Sequence, residues 1–279
     1  MVLPEEMEDA AFDGDVDAVR AFLAQHPERV DDVGDDGNTM FQLAAMHRMD
    51  QPEGWSFEVM QLLVTAGANV DRRINPEHEG PTELHQACIL SSPEVLEALI
   101  RLGADVALVT RGPSGDFPAS QPISILFGGP DWRGFAERRG RTEGEQLRCM
   151  YWCMLCLLRG GHPLDFLHEG SLTSLEAVIE PLARGYEGDA PYLNDALELA
   201  RAVRAAQSTS TSTRLTLWQK YCLAAPKDLL RLRSLVARGR ARKKVRTRSK
   251  TPREIELLFA RSFPNELFWR VMAFWNPRR

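Results

Sequence analysis

No stretch of the 279 residues approaches the roughly 18 uninterrupted apolar positions that a membrane-spanning helix requires. The amino terminus carries Glu5, Glu6, Glu8 and Asp9 where a secretory signal needs a basic start and an apolar middle. A soluble intracellular protein, cytoplasmic and/or nuclear, with no membrane partner is therefore expected. Cysteine is sparse and odd in number: five residues, three of them between positions 149 and 156. That usage argues against a secreted disulfide framework and for reduced thiols. The six histidines never form a His-x-x-x-His or His-Glu-x-x-His pattern, and no glycine-rich loop leads into Lys-Ser or Lys-Thr. Metal-dependent hydrolysis and phosphoryl transfer have no foothold, and a chain without catalytic residues or cofactor is expected.

What is present is a sharp division of charge. Residues 1–213 hold 16 Lys/Arg against 35 Asp/Glu, whereas residues 214–279 hold 18 against 4, so a net charge of −5 conceals an acidic body and a basic tail. Such a split points to different partners for the two parts. Between them, Gln207-Ser208-Thr209-Ser210-Thr211-Ser212-Thr213 is polar and low in complexity, with nothing to bury, and reads as a linker.

Superposing the chain on itself aligns three segments on a shared glycine: Leu62 to Val70 around Gly67, Ala98 to Val106 around Gly103, and Cys156 to Leu164 around Gly161. Each is an apolar helix end followed by the residue that accepts a left-handed C-cap without a Cβ clash. Upstream recurs a second signature, a turn glycine and a capping threonine before small apolar residues. It is seen at Gly37-Asn38-Thr39 and Gly80-Pro81-Thr82, and more weakly at Gln121-Pro122-Ile123 and Gly170 to Leu175, where it predicts short inner helices. These features resemble the ankyrin repeat. Thr82-Glu83-Leu84-His85 stands where the family has Thr-Pro-Leu-His, and Pro93 to Ile100 is the outer helix of the same copy. An opening half-repeat at Ala10–Leu23 reads as a cap, and a degenerate fifth copy runs from Thr173 to about Ala206. Two insertions depart from the pattern, Met49–Trp55 and Gly128–Gly144. The resemblance implies an all-α ankyrin-repeat solenoid over residues 7–206, a linker at 207–213 and a helical tail at 214–279. It further implies binding of a protein partner, as scaffold or adaptor, across stacked repeats. Residues of the long connections, Trp55, Arg72, Arg73, Glu77, His78 and Trp132, are the contact candidates, with the two tryptophans first.

Other groupings compete with a structural reading. Cys149, Cys153 and Cys156 match the spacing of an iron–sulfur motif, and His162 lies near enough in sequence to complete a zinc site. At i, i+4 and i+7 on the fourth outer helix they also share one face as core residues, which is the favoured expectation. His85 is expected to bond a neighbouring loop. The run from Arg238 to Lys250, with Arg240, Arg242, Lys243, Lys244, Arg246 and Arg248 at its centre, carries eight positive charges in 13 residues. It suits a solvated loop, a nuclear-import signal, or a patch for nucleic acid or acidic lipid. The segment from Glu254 to Trp275 follows, where Phe263, Leu267, Phe268, Val271 and Phe274/Trp275 recur at helical spacing after a proline start as an amphipathic aromatic helix, loosely similar to F-box and SOCS-box segments. That resemblance implies a ubiquitin-ligase adaptor as the alternative tail partner, against a helix that caps the solenoid.

Overall fold

The computed structural model describes residues 2–46, 56–74, 80–110, 119–128, 132–186, 191–209 and 218–219. Helices α1 (Glu5–Asp13), α2 (Val16–Gln25), α3 (Met40–Ala45), α4 (Phe57–Thr65), α5 (Glu83–Ile89), α6 (Pro93–Arg101), α7 (Pro122–Gly128), α8 (Trp132–Arg138) and α9 (Glu143–Arg159) precede a hairpin of β1 (Asp165–His168) and β2 (Ser171–Ser174). Helices α10 (Leu175–Gly185) and α11 (Pro191–Thr209) follow it. The short helices form an inner row in which α1 packs on α3, α5 on α7 and α7 on α10, while the outer row sets α2 on α4 and α6 on α9. This is an all-α solenoid of helix pairs. Contacts divide the chain into two units, Met1–Arg201 and Ala202–Arg279.

The repeat is written in its caps. Thr39 and Gln42 form a reciprocal box, in which the Gln42 N–H donates to Thr39 Oγ1 at 3.3 Å and the Thr39 N–H donates to Gln42 Oε1 at 2.9 Å. Thr142 and Glu145 repeat it at the start of α9. At the other end, Gly67, Gly103 and Gly161 take φ of 105°, 100° and 99°, which are left-handed values that a side chain resists. In each case the next residue's N–H reaches back across the glycine, Ala68 to the Leu63 carbonyl, Ala104 to Leu99 and His162 to Leu157. These are the bonds of a glycine C-cap.

Counting back from those glycines gives the core. Leu63, Leu99 and Leu157 stand four residues before them, and Met60, Leu96 and Met154 seven before; all six are fully buried. Each such side chain contributes roughly 2 kcal/mol through removal from water. The helix ends come close enough that Gly160 has no room for a side chain, since a Cβ there would lie 2.9 Å from Val106 Cγ1 and 3.1 Å from Ile100 Cγ2. Gly160→Val is expected to cost about 2–3 kcal/mol by overpacking, read as a lower urea midpoint with an unchanged slope.

Three expectations are corrected. The fourth-repeat insertion ends sooner than Gly144, because α9 begins at Glu143 with Thr142 as its cap, and it contains a helix, α8, whose first residue is Trp132. Gly170–Ser174 does not open an inner helix: Glu169 and Gly170, at φ 49° and 76°, make the tight turn of the β1–β2 hairpin. Ser174 then caps α10, its Oγ accepting the Ala177 N–H. The stretch expected as a linker from Gln207 is helical through Thr209, the last residue of α11.

Candidate functional site

The hairpins that join successive repeats line up along the inner row and are stitched to one another from the side chains upward. Asp31 Oδ1 accepts the Asn69 N–H at 3.2 Å, and one repeat later Asp71 accepts the Asp105 N–H at 3.0 Å. Burial, ahead of repulsion from Asp105, raises the Asp71 carboxyl above its ordinary range despite that bond and Arg73. Arg73 donates to the carbonyls of Gly80 (2.9 Å) and Val109 (3.0 Å), so it ties the second hairpin to the third. Gln121 continues the row, its Nε2 donating to the Ala107 carbonyl at 2.7 Å while its Oε1 accepts the Leu167 N–H at 3.0 Å. Ser124 Oγ and His168 Nδ1, 2.7 Å apart, anchor the last hairpin to α7.

Beneath the row are two buried histidines and one buried acid. His85 bonds a neighbouring hairpin, as its place in the repeat suggests: the Thr82 N–H donates to Nδ1 at 3.2 Å, which leaves Nε2–H to donate to the Leu108 carbonyl at 3.2 Å. His162 stands where the other repeats have Ala68 and Ala104. Its Nδ1–H donates to the Pro163 carbonyl at 2.7 Å, and its Nε2 is buried without a partner. Burial lowers both rings to a pKa of about 4, so both are neutral near pH 7. Glu83 is only 5% exposed, its Oε1 has no partner, and burial pushes its carboxyl up to about 8.

Of the residues expected to contact a partner, Arg73 is committed to the hairpins and Arg72, beside it, is half-buried. Trp132 begins a helix instead of standing in a loop. Trp55, Glu77 and His78 lie outside the described residues, as do the basic run from Arg240 to Arg248 and the aromatic segment from Glu254 to Trp275. In their place the described hairpins present Asp35, Asp36, Asp165 and Glu169, all exposed, and Leu172, an apolar side chain 76% exposed. The signal for Leu172 was Glu169-Gly170, a pair suited to a tight hairpin.

The cysteines behave as core. Cys153 occupies the register of Val59 and Val95, eight residues before the capping glycine; it and Cys156 are buried, as is Cys88 on α5, and Cys149 is half-buried. Burial raises the thiols of Cys88 and Cys153 well above their ordinary range and that of Cys156 to about 11. Among the described residues no group of His, Cys, Asp and Glu is placed to hold a metal ion. With thiolate suppressed, Cys88, Cys153 and Cys156 are expected to resist alkylation at pH 8 in the native state and to react once unfolded, as peptide mapping by mass spectrometry will read.

Residues 7–110 match the family model of ankyrin repeats in three copies. No curated protein matches the chain.

Proposed function

The chain is an ankyrin-repeat protein, and from that premise we propose that it acts as a scaffold or adaptor that grips a basic segment of a partner protein along its hairpin row and inner helices. Ankyrin repeats are protein-interaction modules. The observation that carries the finer reading is the row itself: hairpins immobilised by Arg73, Gln121 and Asp71, with Asp35 and Asp36 exposed on the first hairpin and Asp165, Glu169 and Leu172 exposed on the last. Rigid hairpins lose little freedom on binding, the common sign of these acids steers a basic partner, and Leu172 offers an apolar contact beside the acids of the last hairpin.

Affinity capture with the full-length chain, compared with the combined variant Asp35→Lys, Asp36→Lys and Glu169→Lys, tests this. The variant is expected to lose partners that the outer-helix control Glu97→Lys retains; equal loss in both, or in neither, would refute the surface. The ubiquitin-ligase and nucleic-acid readings belong to the tail. A chain ended after Thr209, which keeps α11 whole, separates tail partners from hairpin partners.

A further inference from the structure

The turn from α5 to α6 lies at the opposite end of α5 from the hairpins, about 10 Å away for seven residues at the helical rise. Two arginines from the fourth-repeat insertion fold back onto it. Arg139 Nη1 donates to the Leu90 carbonyl at 3.2 Å and to Ser92 Oγ at 3.3 Å. Arg141 Nη1 donates to the Ser91 carbonyl at 3.3 Å and to Gln146 Oε1 at 3.1 Å. Cations belong at a helix C-terminus, so capping α5 accounts for one nitrogen of each guanidinium. It does not account for the others: Nε and Nη2 of Arg139 are buried with no partner. Among the described residues neither arginine pairs with a carboxylate. Glu94 of α6 stands close enough to act on the Cys149 thiol, as do Arg139, Arg141 and Arg148, yet no ion pair joins it to them among the described residues. Burial first, and repulsion by Arg141 second, lower the pKa of Arg139 below the ordinary guanidinium range. Two adjacent unpaired cations, one with orphaned donors, are costly without an anion.

We propose that Arg139 and Arg141 form a binding site for a phosphate-class dianion on the helix-turn edge of the third repeat, apart from the hairpin row. Charge decides between anions. A single carboxylate neutralises one of the two guanidiniums, whereas a phosphate group carries close to two negative charges near neutral pH and three acceptor oxygens for the unused forks. A phosphorylated side chain of a partner and free phosphate share that chemistry.

The test titrates the full-length chain with inorganic phosphate, with a Gly-phosphoserine-Gly peptide and with a Gly-Glu-Gly peptide. Ionic strength is held constant with sodium chloride, and binding heat and unfolding temperature are followed together. Phosphate is expected to bind saturably and raise the unfolding temperature, and the glutamate peptide to bind at least about tenfold more weakly. Arg139→Gln with Arg141→Gln is expected to weaken phosphate binding about tenfold or more, while Arg141→Lys, which keeps charge and loses the fork, weakens it less. The basic tail is common to all these proteins and cancels in the comparison. Should the phosphoserine peptide bind as phosphate does, the source is a modified partner; binding by phosphate alone supports the site with the free ion as its ligand. The proposal is overturned if phosphate gives no saturable effect, if the doubly substituted chain, folded by circular dichroism, binds it equally, or if the glutamate peptide binds as tightly.

Discussion

Replacing Glu83 with proline is expected to stabilise the chain by about 3 kcal/mol at pH 7, a gain that grows as pH rises. The acid occupies the first turn of α5, where the family pattern has proline, and its Oε1 is buried without a partner. Unfolded, Glu83 ionises near 4.5; folded, near 8. Between those values the folded chain holds a proton that the unfolded chain releases, so stability falls with rising pH across that window at up to about 1.4 kcal/mol per unit. The backbone already suits the substitution. Thr82 sits at φ −94° and ψ 172°, as a residue before proline must, and the first helical N–H has no partner in the helix to lose. Urea denaturation at pH 5 and pH 8 checks it: the gain of Glu83→Pro over wild type is expected to be several-fold larger at pH 8. Equal gains would mean that burial of the carboxyl is not the cause.

The two buried histidines act with the opposite sign and bring the second large effect. Their folded pKa, about 4, lies below the unfolded value of 6.5, so their neutral forms stabilise the fold fully above pH 6.5 and that contribution is lost as pH falls toward 4. Each can contribute on the order of 3 kcal/mol across the window. Below pH 6.5 the pair outweighs Glu83; above it Glu83 alone acts. Stability is therefore expected to peak at about pH 6.5. Glu83→Pro should flatten the alkaline side of that curve, and His162→Ala, the residue type found at that position in Ala68 and Ala104, should soften the acid side. Equilibrium urea unfolding at half-unit steps from pH 5 to pH 8 reads all three chains.

What could be read from the sequence was what repeats. The glycines at 67, 103 and 161 announced their left-handed caps because only that residue tolerates the conformation, and the register they set turned Cys153 into the counterpart of Val59 and Val95. Thr39, Thr82 and His85 were legible for the same reason, since caps act over three or four residues. Helix α9 starts earlier than the alignment places it, although Thr142 followed by Glu145 is a capping-box signal. The strands were hidden because Ser171-Leu172-Thr173-Ser174 suits a hairpin arm and a helix start alike. Arg73, Arg139 and Gln121 look like surface residues in sequence, for each has a partner tens of residues away, Val109, Leu90 and Leu167, that nothing local encodes. Glu83 stood out as a departure from the family pattern, but its burial depends on the packing of neighbouring repeats.

The hairpin row is where a partner is expected to bind. Hydrogen–deuterium exchange on the full-length chain, alone and saturated with a captured partner, is predicted to show protection at the hairpins around Asp35, Arg73, Leu108 and Leu172 and at the start of α5. Protection confined to the outer helices α4, α6 and α9, or to residues 214–279, with the hairpins unchanged, would contradict it.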